Sequence, residues 1–238
     1  MALTPDTPDE SFVREVDENL RRDELESFAK AYAKWLIGAV VLFLIAVGAY
    51  LYWQNRQSEK SAAQSEQLMA AYNDIGAKKT DEAKKKLDTL AAEGNSIVRA
   101  MAILAEAAVA LEANDRDTAI AKYHSVAADE DIADPYRNVA LVRATTLEFD
   151  KLKPQDVIGR LEPLAKSGEP WFGSAGELTA LAYLKMGQKD KAGRLFAEIA
   201  ADKQVPETIR SRSLQFAGTL GVDTGKLPPQ PAQPGMFQ

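Results

Sequence analysis

The chain has 238 residues with 29 basic and 35 acidic side chains, a formal charge of −6 and no cysteine. That length fits one domain of ordinary size with appendages, and the acidic excess argues against nucleic-acid binding as the main work of the protein. The absence of cysteine excludes disulfide frameworks, iron–sulfur sites and thiol catalysis.

The first 34 residues form a polar arm. Thr7-Pro8-Asp9-Glu10 has the form of a helix start, with a hydroxyl that can cap, proline at the first helical position and Glu three residues after the Thr. Val13, Val16 and Leu20 then make one apolar stripe, and Leu25, Phe28, Tyr32 and Trp35 a second, displaced by one step. An amphipathic helix entering a membrane is expected.

From Trp35 to Trp53 the chain reads WLIGAVVLFLIAVGAYLYW, with no charge between Lys34 and Arg56. At 1.5 Å per residue this stretch reaches about 28 Å, close to the ~30 Å of a bilayer's hydrocarbon core. Its ten Leu, Ile, Val and Phe residues each favour insertion by about 0.3 to 0.6 kcal/mol, and no central Lys or Arg opposes them. Tyr32 and Trp35 at one end, and Tyr50, Tyr52 and Trp53 at the other, suit the headgroup level. A cleaved signal peptide does not fit, because the apolar block follows an acidic arm and lacks a small-x-small cleavage site. A transmembrane helix is therefore expected over residues 35–55. Arg21, Arg22, Lys30 and Lys34 precede it, whereas only Arg56 and Lys60 follow within twenty residues, which places the N-terminus in the cytoplasm.

The remainder repeats itself. LEANDRDTAIAKYHSVAAD, 111 to 129, superposes on LKMGQKDKAGRLFAEIAAD, 184 to 202, at an offset of 73 residues, about two units of thirty-six. Two further copies follow the same spacing: Ala83, Leu87 and Leu90, and Val157, Leu161 and Leu164. Each is preceded by another apolar-periodic helix, so the unit is a helical hairpin, four times over. Gly76, Asn114 and Gly187 are expected to end first helices in the left-handed conformation, with Thr80, Asp117 and Asp190 capping second helices. Pro135, Pro170 and Pro206 suit the starts of later helices, whereas Pro163 falls inside a second helix and predicts a kink or early end.

The period and the small-then-aromatic pattern resemble the tetratricopeptide repeat. In that spacing a small residue lies twelve positions before each alanine, and Ala71, Ala107, Thr145 and Ala180 answer. The aromatic slot holds Leu87, Tyr123, Leu161 and Phe196, and the units lack the usual opening Trp and Gly. Residues 206 to 221 read as a closing helix with Ile209, Leu214, Phe216 and Leu220 on its packing side. Four prolines between Pro228 and Pro234 make residues 222–238 an extended, disordered tail. The expected organisation is all-α: an arm over 1–34, a span over 35–55, a helical-hairpin solenoid over 56–221, and the tail.

No constellation for catalysis emerges. His124, the one histidine, follows the core position Tyr123 and is expected on the surface without a triad partner. Asp129, Asp131 and Asp134 lack the Gly and Glu of a calcium loop, Asp223-Thr224-Gly225 lacks the sheet setting of an aspartic protease, and Lys84-Lys85-Lys86 reads as a solvated stripe. Trp171-Phe172 behind Pro170 reads as a packing anchor between repeats, with a binding role for Trp171 as the alternative. Neither a cofactor nor a metal is expected.

The arm FVREVDENLRRDELESF, the span WLIGAVVLFLIAVGAYLYWQNRQ and the degenerate repeats from Leu68 to about Leu220 together resemble the ancillary subunit family of the SecYEG translocon, the YfgM-type membrane proteins. The resemblance implies a non-enzymatic bacterial inner-membrane protein with its repeats in the periplasm. Its implied partners are the translocon, a membrane-anchored periplasmic chaperone and emerging unfolded polypeptide, with no nucleic acid. By the tetratricopeptide pattern the groove would include Met101, Leu104, Glu112, Val142, Phe149, Glu177 and Lys185, with Trp171 beside them. A scaffold for envelope assembly or cell division, without translocon contact, is the alternative.

Overall fold

The structure, a computed structural model, describes the backbone of residues 8–222, with side chains at Lys34, Trp35 and from Ile37 onward. Thr7 and the tail from Asp223, including its Asp-Thr-Gly, lie outside the described residues, as do the side chains of the arm's apolar stripes from Val13 to Tyr32.

All the elements among the described residues are helices: α1 (Pro8–Gly76), α2 (Thr80–Glu93), α3 (Ser96–Glu112), α4 (Arg116–Ala128), α5 (Asp134–Glu148), α6 (Pro154–Leu161), α7 (Phe172–Lys185), α8 (Lys189–Ala201) and α9 (Glu207–Thr219). The chain divides into two compact units, Met1–Ala62 and Ala63–Gln238. In the first, α1 begins at Pro8, where proline's missing amide costs no hydrogen bond. Its apolar stretch is long enough to cross a bilayer, and none of its most apolar window is buried. Leu42, Phe43, Leu44 and Ile45 are each more than 60% exposed, a ring of apolar surface with no protein covering it. This stretch is a candidate membrane span.

The second unit is the helical repeat. Its hairpins pair the end of α1 with α2, through the shared core of Leu68, Ala71, Leu87 and Leu90, then α3 with α4, α5 with α6, and α7 with α8, with α9 closing the stack. The anticipated contact positions are fully buried: Ala71 and Ala83, Ala107 and Ala119, Thr145 and Val157, and Ala180 and Ala192 are each 0% exposed. Small side chains there let paired backbones approach closely. The larger slots Leu87, Tyr123, Leu161 and Phe196 fill the adjoining core. Thr145 keeps its hydroxyl satisfied within its own helix by donating to the Leu141 carbonyl at 2.8 Å.

Several local expectations are corrected. Asn114 and Gly187 are left-handed, at φ 60° and 74°, but the first such turn uses Lys78 at φ 59°, two residues past Gly76. Asp115, and not Asp117, caps α4, accepting from the Thr118 amide at 3.1 Å. Those hydrogen bonds hold its carboxyl below the ordinary carboxylate value. Thr80, Asp117 and Asp190 instead lie inside the first turns of α2, α4 and α8, where the two acids favour the helix dipole. In α9 the buried residues are Ser211, Ser213 and Ala217, while Ile209, Leu214, Phe216 and Leu220 are half-buried around them. The Phe216 ring stacks on Phe196 at 4.8 Å between centroids, so close approach of α9 is what demands the small residues.

Pro163 has the anticipated effect. Helix α6 stops at Leu161 after eight residues, and Leu164 reaches the core from the following turn. At the other end of the stack, Gly193 on α8 lies so close to Val222 that an added Cβ would come within 2.7 Å of its Cγ2. Truncating the fully buried Phe196 to alanine should cost about 3 to 5 kcal/mol, and enlarging Ala180 to leucine about 1 to 3 kcal/mol. Urea unfolding of the detergent-solubilised chain measures both, with Lys85→Ala changing the unfolding free energy by less than about 0.5 kcal/mol.

Candidate partner-binding surface

The first helices of the hairpins leave one stripe each uncovered, located by the residue that follows the small contact position: Ala108 after Ala107, Thr146 after Thr145 and Leu181 after Ala180. On α3 the stripe is Ile97, Met101, Leu104 and Ala108, at helical spacing and wholly apolar. Ile97 is 51% exposed, Met101 and Leu104 are half-buried and Ala108 is exposed. On α5 it is Val139, Arg143, Thr146 and Asp150, and on α7 Ser174, Glu177, Leu181 and Lys185. The exposed stripes therefore change from apolar on α3 to mixed and charged on α5 and α7.

The sequence-predicted residues distribute unevenly over this surface. Met101 and Leu104 lie on the apolar stripe, and Glu112 is exposed at the end of α3. Val142 is buried against Val157 and Leu161, so the open positions on α5 are its neighbours Val139, Arg143 and Thr146. Counting one residue past Thr145 would have found Thr146 and Arg143 from the sequence. Phe149 and Lys185 are brought together: the ammonium lies 4.2 Å from the ring centroid, 3.2 Å from the Phe149 carbonyl and 3.0 Å from Asp150 Oδ1. Glu177 is clamped by the Arg212 guanidinium from α9. Trp171 is half-buried against the cluster of Val157, Leu161 and Leu164, and Phe172 is wholly buried against Ile199 and Val205. Both residues therefore pack between helices.

Polar bonds join neighbouring hairpins. Gln64 on α1 accepts from the Asn95 amide and side chain at 3.1 Å, while Asn95 caps α3 by accepting from the Ile97 and Val98 amides. Arg99 pairs with Asp129 at 2.9 Å, which accounts for the first member of the aspartate cluster. His124 is not the free surface residue anticipated: its Nε2 lies 2.9 Å from Glu148 Oε2, which also accepts from Arg160 at 2.7 Å. Burial pushes the Glu148 carboxyl up, but the hydrogen bonds and charges of Arg160 and His124 bring it below its ordinary value. Glu106 behaves oppositely. Its carboxyl is 6% exposed, Oε2 lies 2.5 Å from Lys122 Nζ and Oε1 has no partner. Burial, reinforced by Asp88 nearby, raises its pKa despite Lys122.

No cluster of His, Asp and Glu able to hold a metal occurs among the described residues. The surface consists of one apolar stripe beside mixed stripes in which Lys185 is tied to Asp150 and Glu177 to Arg212. It is suited to gripping a polypeptide through side-chain packing.

A family model described as "Tetratricopeptide repeat-like domain" matches residues 26–216. The chain belongs to this family. Comparison with curated proteins and with solved structures finds no match. Membership brings protein–protein interaction as the class of work, since stacked hairpins present extended surfaces that other chains use. Such repeat families are usually non-enzymatic.

The two carboxylates give opposite pH signatures. The depressed pKa of Glu148 contributes stability that is present above the ordinary value of 4.5 and lost as pH falls through the lower folded value. The raised pKa of Glu106 lets the folded chain bind the proton more tightly, so its contribution declines as pH rises from 4.5 through the higher folded value. Urea midpoints measured against pH should show the acid-side loss reduced in Glu148→Gln and the decline above 4.5 flattened in Glu106→Gln.

Proposed function

We propose that this protein is a non-enzymatic membrane-anchored scaffold whose repeat domain lies in the periplasm and holds protein partners at the SecYEG translocon, together with a membrane-anchored periplasmic chaperone. Residues 35–55 anchor it in the bacterial inner membrane with the N-terminus in the cytoplasm. The observation that carries this reading is the pairing, in one chain, of an uncovered apolar helix of bilayer length with a stack of interaction hairpins. The excess of Arg and Lys before the span supports the orientation. Tethering beside a channel supplies a local concentration of emerging chain that the repeat domain alone would not have. The apolar stripe from Ile97 to Ala108 suits unfolded segments and partner helices, whose side chains need packing more than specific hydrogen bonds.

A compartment-sensitive reporter fused after Gln238 should be active only outside the cytoplasm. A photoreactive residue at Ile97 or Arg143 should capture translocon subunits or a chaperone; capture of division proteins alone would reject the translocon assignment. Leu44→Arg, costing about 2.5 to 3.5 kcal/mol of insertion free energy, should make the protein extractable by alkaline carbonate.

A further inference from the structure

Three hairpin turns fall in register with one another. Lys78, Asn114 and Gly187 each stand five positions before the alanine contact of the second helix, and all three are left-handed, at φ 59°, 60° and 74°. Glycine has no Cβ to clash in that conformation and asparagine tolerates it, whereas lysine gains nothing there. The next residue of each turn, Lys79, Asp115 or Gln188, is the N-cap of the second helix. Asp115 accepts from the Thr118 amide, but Lys79 has no acceptor to offer and sets a positive charge at the positive end of the helix dipole. The first turn therefore carries lysine at two successive positions where the fold favours another residue. At the same two places the second hairpin carries the favoured Asn and Asp.

Helix α2 adds charge to the same region. Residues 78–86 hold five lysines against Asp81 and Glu82, in a chain whose formal charge is −6. Lys86 is committed to Asp74, and Lys84 acts on Asp115, helping to hold that carboxyl below its ordinary value. Lys78, Lys79 and Lys85 are exposed and have no ion-pair partner among the described residues. By contrast, Arg116 in the second turn donates to the Leu147 carbonyl, and Lys151 in the third lies 3.7 Å from Asp117. Along the helix Lys79 and Lys85 are about 9 Å apart, about one Debye length at physiological salt. The free lysines consequently act as one positive field.

We propose that Lys78, Lys79 and Lys85, with Lys84 beside them, form a docking site for an acidic segment of a partner protein, a run of Asp and Glu carboxylates. Stability is forgone at the turn because two ammonium groups are needed there to meet those carboxylates, which is the pattern expected where function overrides a local rule. Ammonium groups act as compact point charges, so the contact steers encounter and tolerates any conformation of the acidic run. The negative balance of the rest of the chain disfavours a long polyanion such as nucleic acid, which would extend beyond the patch. The site lies on the first turn and α2, apart from the apolar stripe on α3, so a partner carrying both an acidic run and an apolar face can be held at two points.

The test uses the full-length protein in zwitterionic nanodiscs, with a fluorescein-labelled peptide of eight glutamates as the probe. Lys78→Asn combined with Lys79→Asp installs the residues of the second hairpin. This variant should bind the probe about tenfold more weakly, while the urea midpoint of the detergent-solubilised chain rises. Lys166→Asn with Lys203→Asp, an equal change of charge at exposed positions elsewhere, should leave binding within about twofold. Unchanged binding in the turn variant would overturn the proposal, and so would equal weakening in the control, which would reduce the effect to net charge. A urea midpoint that does not rise would show that the two lysines serve the fold and would overturn it as well. Displacement of the probe by phosphatidylglycerol vesicles at a lower concentration of negative charge than by unlabelled peptide would assign the lysines to lipid and reject the protein partner.

Discussion

Two helices can lie against each other only as closely as the side chains between them allow, and that constraint organises the repeat block. Eight contact positions, from Ala71 to Ala192, have no exposure, and six of them are alanine. Alanine there lets the backbones approach closely enough for Leu87, Tyr123, Leu161 and Phe196 to wedge into the space beside the contact. Even Thr145 conforms, turning its hydroxyl onto the Leu141 carbonyl and presenting little more bulk than alanine. The same constraint extends to α9, where Ser211, Ser213 and Ala217 face inward so that Phe216 can stack on Phe196. The helix that ends the stack therefore follows the packing rule of the hairpins it covers, despite carrying larger apolar residues.

Attachment between hairpins follows a different logic. Lys185 to Asp150 and Arg212 to Glu177 each bridge thirty-five residues, about one repeat period, so equivalent places on neighbouring units are tied by charge-assisted bonds. Glu148 does more, holding His124 on α4 and Arg160 on α6 at once. Exposed pairs of this kind contribute little each, and what they add is register between units whose apolar contacts would tolerate sliding. This also explains why the apolar stripe is confined to α3. The corresponding stripes on α5 and α7 carry Asp150, Glu177 and Lys185, and a side chain held by such a tie is less free to grip a partner than an apolar one.

The periodic part of this architecture was legible in the sequence because it rests on residue size. Counting twelve back from Ala83, Ala119, Val157 and Ala192 located the buried contact in every hairpin. Pro163 likewise announced the early end of α6, since the loss of an amide is a local property. What the sequence did not show depends on partners distant in the chain. His124 looked free because Glu148 is twenty-four residues away, and Gln64 gave no sign of reaching Asn95. Val142 was assigned to the surface from a regular repeat, but it turns inward to Val157 and Leu161 in the one hairpin whose second helix is short. The left-handed turn at Lys78 was missed for a related reason: helix α1 continues to Gly76 and leaves the reversal to a residue with no special preference for it.

Departures from the repeat are concentrated in the third hairpin, and the consequence reaches both faces of the stack. Val142 is buried against Val157 and Leu161 on one side, and on the other α6 and the turn after it face α8 across a cleft whose floor is the buried Thr179 and the half-buried Tyr183. In the second hairpin the equivalent position, seventy-three residues earlier, is closed by Glu106 paired with Lys122, a buried carboxylate whose second oxygen has no hydrogen bond, an expensive way to fill space. Replacing that pair by Thr179 and Leu195 removes the electrostatic cost but leaves a cleft with an apolar wall. The two sites, in the second and fourth hairpins, one filled from within and the other open, identify the outer layer as the part of this fold where packing was relaxed without loss of the small-residue contacts beneath it.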